Sequence, residues 1–237
     1  MRPDLRRLAR LAVEWVVDDT DCRVVLVGGP GCVGKSTFAA ELQEQFGSHP
    51  VRTATVLDLD CYLLERAYRE SPKSVITGYN PAAYELNIAT RDIQSLLRGK
   101  SVLVRPYDKA TSTRGPERQV DPARLLIVEG AMALTTALLR FPAVRAFLDA
   151  ETDVLYENRV ARERSLGFEE SRIQRKFALL DRDYDRFIVP QRAAAHLLVR
   201  VGRGYEFAAL EMRAAVDAGV ELVAGEVMTA GARSEQR

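Results

Sequence analysis

Hydrophobic and polar positions alternate along this chain between two periods. Arg23 to Val27 is an apolar, β-branched run that reads as a buried strand. A glycine-rich turn follows, and then Phe38, Ala39, Leu42 and Phe46 recur at helical spacing from Ser36 to a stop at Gly47. Val51 to Leu59, after Pro50, is a second strand. Tyr84, Leu86, Ile88, Ile93, Leu96 and Leu97 mark a helix that ends at Gly99. Val102 to Val104 is a short strand broken by Pro106, and Leu125 to Val128 is a buried parallel strand ending in Glu129-Gly130. Arg145 to Leu148 and His196 to Val201 complete the strand candidates. Helices are predicted from Thr152, over Glu169 to Phe187 and over Glu206 to Val216. A further helix lays Leu5, Leu8, Leu11, Ala12, Trp15 and Val16 on the sheet near the start. Strand and helix in alternation specify an α/β fold, a doubly wound parallel sheet in a single domain over 1–237.

Two stretches break the rhythm. Leu63 to Gly78 turns polar, with Ser71-Pro72-Lys73-Ser74 reading as a surface loop, and Tyr107 to Gln119 is rich in Thr, Ser, Arg, Gly and Pro, a loop or irregular hairpin. The 237 residues are 47% hydrophobic and 28% charged, ordinary for a globular enzyme, and the net charge of +1 provides no global attraction for nucleic acid or membrane. No apolar run approaches a membrane span and no signal-peptide core follows the charged start, which predicts a cytoplasmic protein. Cys22, Cys32 and Cys61 have no metal-ligand spacing and are odd in number, against both a disulfide framework and a zinc site.

The chemistry centres on Gly29-Pro30-Gly31-Cys32-Val33-Gly34-Lys35-Ser36, the spacing G-x-x-x-x-G-K-[ST] between a strand and a helix. Such a loop turns backbone N–H groups inward to cradle phosphates, and the helix beginning near Ser36 and Thr37 adds its positive end. Lys35 neutralises the β/γ-phosphates, and the Ser36 hydroxyl is placed to ligate Mg²⁺. Ligands of an open parallel sheet sit beyond the carboxyl ends of its strands. Asp58 and Asp60, at the end of the second strand, therefore face the same crevice, either as a base or hydroxyl-orienting group and metal-side acid, or as helix caps. Glu129 stands at the place of a Walker B acid, either to hold Mg²⁺ through water or to orient the substrate. Arg159 and Arg162, with Arg164 beside them, form either a phosphate-covering lid at about 158–175 or a solvated face paired with Glu157 and Glu163. Tyr62, Tyr79, Tyr84 and Tyr107 stack on an acceptor or line the core. The Ras-type N-K-x-D and transporter L-S-G-G-Q motifs are absent, which favours a kinase over a regulatory NTPase.

In their order these landmarks resemble the uridine kinase and phosphoribulokinase group of P-loop kinases, from about Val24 to Val201. Asp60-Cys61-Tyr62 is similar to the group's D-S-F-Y. Glu129-Gly130-Ala131 is similar to E-G-[IL], and Asn158 to Glu163 to the lid pattern R-R-x-x-R-D. The resemblance implies a nucleoside-monophosphate-kinase-like P-loop fold with a small helical lid, Asp60 as base, Tyr62 beside the acceptor, and ATP (or GTP) with Mg²⁺. It also implies a nucleoside-like acceptor held by segments within about 60–120, and self-association. Two places depart from the pattern. Tyr79-Asn80-Pro81 to Glu85 stands where D-H-P-[DS] holds ribose hydroxyls, so the His is missing and Asn80 replaces the acid. Ser112 stands where a base-recognising His is usual, although Arg114 is kept. Both departures fall on acceptor recognition, which leaves a phosphosugar, a pantothenate-like alcohol or a specialised metabolite as alternative acceptors.

Overall fold

A computed structural model describes residues 5–6, 9–10, 13, 22–47, 53–71 and 74–212. Its main sheet has six strands: β1 Val24–Gly28, β2 Ala54–Asp58, β3 Leu125–Glu129, β4 Val144–Asp149, β5 Leu197–Val201 and β6 Phe207–Met212. Their order is β6-β5-β4-β1-β3-β2. The first five are parallel and β6 closes one edge antiparallel to β5. Among the described residues, four helices of more than two turns accompany them: α1 Lys35–Gly47, α2 Leu86–Leu97, α3 Thr152–Ser165 and α4 Glu170–Asp183.

Every residue of β1 and β3 is buried, as a parallel strand covered on both faces requires. Their side chains alternate between two cores. Val25, Val27, Leu125 and Ile127 meet Phe38, Ala39, Leu42 and Phe46 of α1, while Val24, Leu26, Leu126 and Val128 share the other core with Ala89, Ile93 and Leu96 of α2. Each such Val, Leu, Ile or Phe contributes about 1.5–3 kcal/mol of burial free energy. Leu5, Ala9 and Val13, four apart and helical, pack into the α1 core; Leu8, Leu11, Ala12, Trp15 and Val16 lie outside the described residues.

Several predicted elements change. The expected helix from Glu206 is instead strand β6 through Met212, the residues beyond it lying outside those described. A 3₁₀ turn at Arg203–Tyr205, with positive φ at Gly204 and Tyr205, reverses the chain onto the open side of β5, and pairing there satisfies an otherwise bare sheet edge. The buried Phe207 ring stacks on Phe38 at 6.2 Å. The helix expected to reach Phe187 ends at Asp183, and Tyr184–Ile188 continues as a wider i→i+5 turn. Val102–Val104 forms, but pairs with Arg118–Val120 outside the main sheet, and Tyr107–Asp108 with Thr113–Arg114 makes the hairpin. The polar stretch from Leu63 to Gly78 is not all surface loop: it contains a helical turn at Arg66–Arg69 and a two-residue ladder at Glu70–Ser71 and Ser74–Val75, and it buries Leu63, Arg69 and Thr77, while Pro72 and Lys73 of the expected loop lie outside the described residues. Among the described residues no helix is long and apolar enough to cross a membrane.

Candidate active site

The glycine loop is shaped by contacts that exclude side chains. Gly29 has φ +134°, and a Cβ there would lie 2.3 Å from the Leu148 carbonyl oxygen of β4. Val33 is fully buried behind the loop, and the Cys32 carbonyl accepts from Asn158 Nδ2 at 3.3 Å. Lys35 opens α1 and its Nζ donates to the Pro30 carbonyl at 2.7 Å. Burial lowers the Lys35 ammonium pKa, against the pull of Glu129 and then Asp60. Register between β1 and β3 sets Val27 beside Glu129. The buried Glu129 carboxylate thereby reaches across to accept from Ser36 Oγ at 2.6 Å.

Asp58 and Asp60 do not share one face, because the chain leaves the extended conformation at Leu59 and enters a 3₁₀ turn. Asp58 caps that turn, its Oδ1 accepting from the Asp60 N–H at 2.8 Å, and it does not line the cavity described below. Asp60 does line the cavity, where its Oδ2 meets Lys109 Nζ at 3.0 Å. Burial alone lowers the Lys109 pKa, but Asp60 and then Asp58 more than offset this and the net shift is upward. Burial first, then Asp60 and Glu129, push Asp58 up to about 7 from 3.8.

A folded pKa above the unfolded one means that the contribution of Asp58 to stability is complete below pH 3.8 and is lost as pH rises through about 7. Asn at this position keeps an oxygen for the Asp60 N–H and removes the charge. Asp58→Asn is therefore expected to be more stable than the wild type near pH 8, by on the order of 2 kcal/mol, and equal to it near pH 4. Thermal melts across that range check this; parallel curves would show that Asp58 does not titrate in the folded state.

Loop and acids open on one cavity of about 570 Å³. Gly31, Gly34, Lys35, Ser36 and Thr37 line the donor side, Glu129 and Asp60 lie beside them, and Arg159 and Arg162 of α3 close the top. Arg159 is 7% exposed and lies 5.2 Å over the Tyr79 ring, and the Nε atoms of both Arg159 and Arg162 are buried without a hydrogen-bond partner. Arg159 lies 3.8 Å from Asp181 and donates to the Tyr79 hydroxyl, and two guanidinium groups beside this loop suit an anion. Tyr79, Tyr84, Tyr107 and Ser112 line the remaining wall. The Tyr84 hydroxyl donates to the Gly78 carbonyl at 2.9 Å and burial raises its pKa; Ser112 is buried at φ +62°.

Other candidate residues lie away from the cavity. The buried Tyr62 donates its hydroxyl to Asp92 at 2.8 Å, and burial and then that carboxylate raise its pKa. Asn80 caps the turn Pro81–Ala83 by accepting from the Ala82 N–H. Arg114 braces the wall from behind, pairing with Glu85 at 2.6 Å and donating to the Leu63 carbonyl. Arg164 is exposed and does not line the cavity. Charged groups that do line it escaped sequence reasoning, Arg66, Glu70, Lys109 and Arg69 among them. Lys109 sits in a Thr- and Ser-rich stretch that reads as solvated. Arg69, 9% exposed, spends its guanidinium on the Leu64 and Ile76 carbonyls and the Tyr107 hydroxyl. Neither Lys109 nor Arg69 carries a spacing signal.

Comparison with known proteins agrees with this arrangement. The uridine kinase of Brevibacillus brevis is 28% identical over 195 residues, 79% of this chain and 87% of the relative. That of Escherichia coli is 29% identical over 149 residues, 60% and 68% of the two chains. Two solved structures share the fold at low identity. The D-glycerate 3-kinase of Cryptococcus neoformans has a TM-score of 0.67 at 10% identity, over 90% of this chain and all of that one. A possible uridine kinase from Bacillus stearothermophilus has a TM-score of 0.53 at 20% identity, over 73% and 95%. Residues 24–208 match the family described as Phosphoribulokinase / Uridine kinase, and with the phosphate loop, strand-end acids and covering arginines in one cavity the chain belongs to that family of ATP-dependent kinases that phosphorylate an alcohol.

Proposed function

We propose that this kinase transfers the γ-phosphoryl group of ATP to a hydroxyl of a nucleoside-like acceptor of the uridine or cytidine type, in the cytoplasm. The observation that carries the reading is the Asp60 carboxylate in the same cavity as Lys35, Ser36 and the two covering arginines; the uridine kinase relatives support the acceptor class. Ser36 and Glu129, with Asp60 nearby, offer hard oxygen donors of the kind Mg²⁺ takes when nucleotide phosphates complete its shell, so a cage of three carboxylates is not needed. Bound there, Mg²⁺ would supply charge neutralisation on the β- and γ-phosphates.

The residues then divide the work. Loop amides and Lys35 hold the phosphate chain, and Asp60 accepts the proton of the acceptor hydroxyl as its oxygen bonds to the γ-phosphorus. The bond from that phosphorus to the β–γ bridging oxygen breaks, and ADP leaves. Arg159 and Arg162 stabilise the equatorial charge and exclude water.

One observation favours a second acceptor class. Arg69 is buried at the cavity wall and among the described residues no carboxylate pairs with it. A buried cation whose bonds are all to neutral oxygens is best compensated by an anion, which suits an acceptor alcohol carrying a carboxylate or phosphate. ADP release measured with nucleosides, phosphosugars, pantothenate and hydroxy acids separates the two. Stimulation by uridine or cytidine supports the first reading and stimulation by anionic alcohols alone the second. Steady hydrolysis stimulated by none of them overturns both.

A further inference from the structure

Among the aromatic residues of the cavity wall, Tyr79 differs in where its hydroxyl goes. It accepts the Gly31 N–H of the phosphate loop at 2.6 Å and a guanidinium N–H of Arg159 at 2.7 Å. A phenol oxygen accepts up to two hydrogen bonds and donates one. Both acceptances are used, and among the described residues no acceptor takes the remaining hydrogen. The residue is 5% exposed and lines the cavity, so the unspent O–H has only the cavity to serve. Arg162 reaches the same place, its guanidinium within 3.8 Å of where a Cβ on Gly31 would be.

The ring is held rather than offered. Arg159 lies over it at 5.2 Å, and Tyr184 packs against it with centroids 6.2 Å apart. The Tyr79 N–H donates to Thr77 Oγ1 at 3.1 Å, and the Thr77 hydroxyl in turn donates to the buried Asp183 at 2.7 Å. This removes the ring face from acceptor stacking and aims the hydroxyl at the front of the loop, where the terminal phosphate of a bound nucleoside triphosphate arrives.

We propose that Tyr79 is a catalytic residue whose phenol O–H donates a hydrogen bond to a non-bridging oxygen of the phosphoryl group in flight, a proposal that rests on phosphotransfer at this site but not on the acceptor's identity. The tyrosine keeps its proton throughout: the acceptor's proton goes to Asp60, the phosphoryl group passes from the bridging oxygen to the acceptor oxygen, and Tyr79 stabilises the charge spread between them. Burial raises the phenol pKa against the opposing Arg159, which keeps it a donor through the neutral range. Fixed donors aimed at developing charge act without reorganisation and are each worth about 10²–10³ in rate.

The test uses Tyr79→Phe, which preserves the ring and its contact with Arg159. Basal ATP hydrolysis and binding are measured beside the affinity for ADP with and without aluminium fluoride, a mimic of the transferring group. The variant is expected to bind ATP within a few-fold of the wild type, to turn over about 10²-fold more slowly, and to lose the gain in ADP affinity that fluoride confers on the wild type. Equal gains in both proteins overturn the proposal and leave the transfer reading intact. Tighter ATP binding with undiminished turnover also overturns it, because the hydroxyl would then be a competitor of the phosphate. A wild type that gains nothing from fluoride overturns both. Should Tyr79→Phe fold poorly, 3,5-difluorotyrosine at this position keeps the bond and ionises at lower pH. It is expected to introduce a loss of turnover on the alkaline side, and an unchanged pH profile counts against the proposal.

Discussion

Asp60→Asn is expected to bind ATP within a few-fold of the wild type and to lose about 10²–10⁴-fold in kcat. The asymmetry follows from placement. Asp60 stands in the cavity on the turn after β2, whereas the donor side is held by the loop and by Lys35, whose own contact is to Pro30. No neighbour can substitute. Asp58 is turned away and spent on the Asp60 N–H, and Glu129 accepts from Ser36. Asparagine retains an oxygen for Lys109 but cannot take the proton of an attacking hydroxyl. Calorimetric titration with ATP alongside initial rates on the best acceptor separates the two quantities, and near wild-type turnover would remove Asp60 from the role of base.

How far this site was legible in the chain depends on how local its causes are. The phosphate loop is written in consecutive residues, because glycine freedom and the strand-turn-helix order are properties of the segment itself; Gly29 against Leu148 adds only the distant half of the reason. The acid at the end of β2 follows from the rule that open sheets bind beyond strand ends. Which of the two acids faces the cavity does not follow, since that hangs on the turn at Leu59–Tyr62 capped by Asp58. Asn80 and Arg114 stand at motif positions yet act locally, one capping a turn and one clamping Leu63 to Glu85. Strand β6 was illegible for the opposite reason: Phe-Ala-Ala-Leu-Glu-Met has helix-forming composition, and the open edge of β5 overrode it. Tyr79 was legible as an aromatic of the wall, but the direction of its hydroxyl is set by Gly31 and Arg159, 48 and 80 residues away.

The second large effect belongs to Lys35→Met, which is expected to lower kcat/KM by about 10²–10³ or more through loss of phosphate neutralisation. It is also expected to change stability in a pH-dependent way. Lys35 sits among Glu129, Asp60 and, beyond them, Asp58, which β2 and β3 bring side by side by pairing Asp58 with Glu129. The folded protein thus sets two carboxylates, Glu129 and Asp60, against one buried ammonium, with Asp58 beside them and the half-exposed Lys109 paired to Asp60. Removing the ammonium spares its own burial cost but leaves the carboxylates repelling one another. Because burial outweighs the pull of Glu129 and Asp60 on the Lys35 ammonium, its charged form costs the fold more than these partners return, and Lys35→Met is expected to melt no lower than the wild type near neutral pH. Asp58, protonated in the fold below about pH 7 and charged above it, weighs on the variant as pH rises. A Lys35→Met, Asp58→Asn double variant should therefore melt higher than Lys35→Met near pH 8 without recovering transfer. If the double variant melts no higher than the single one, the carboxylates are not the source of the strain. If Lys35→Met alone keeps its kcat/KM, the loop lysine is not what neutralises the phosphates.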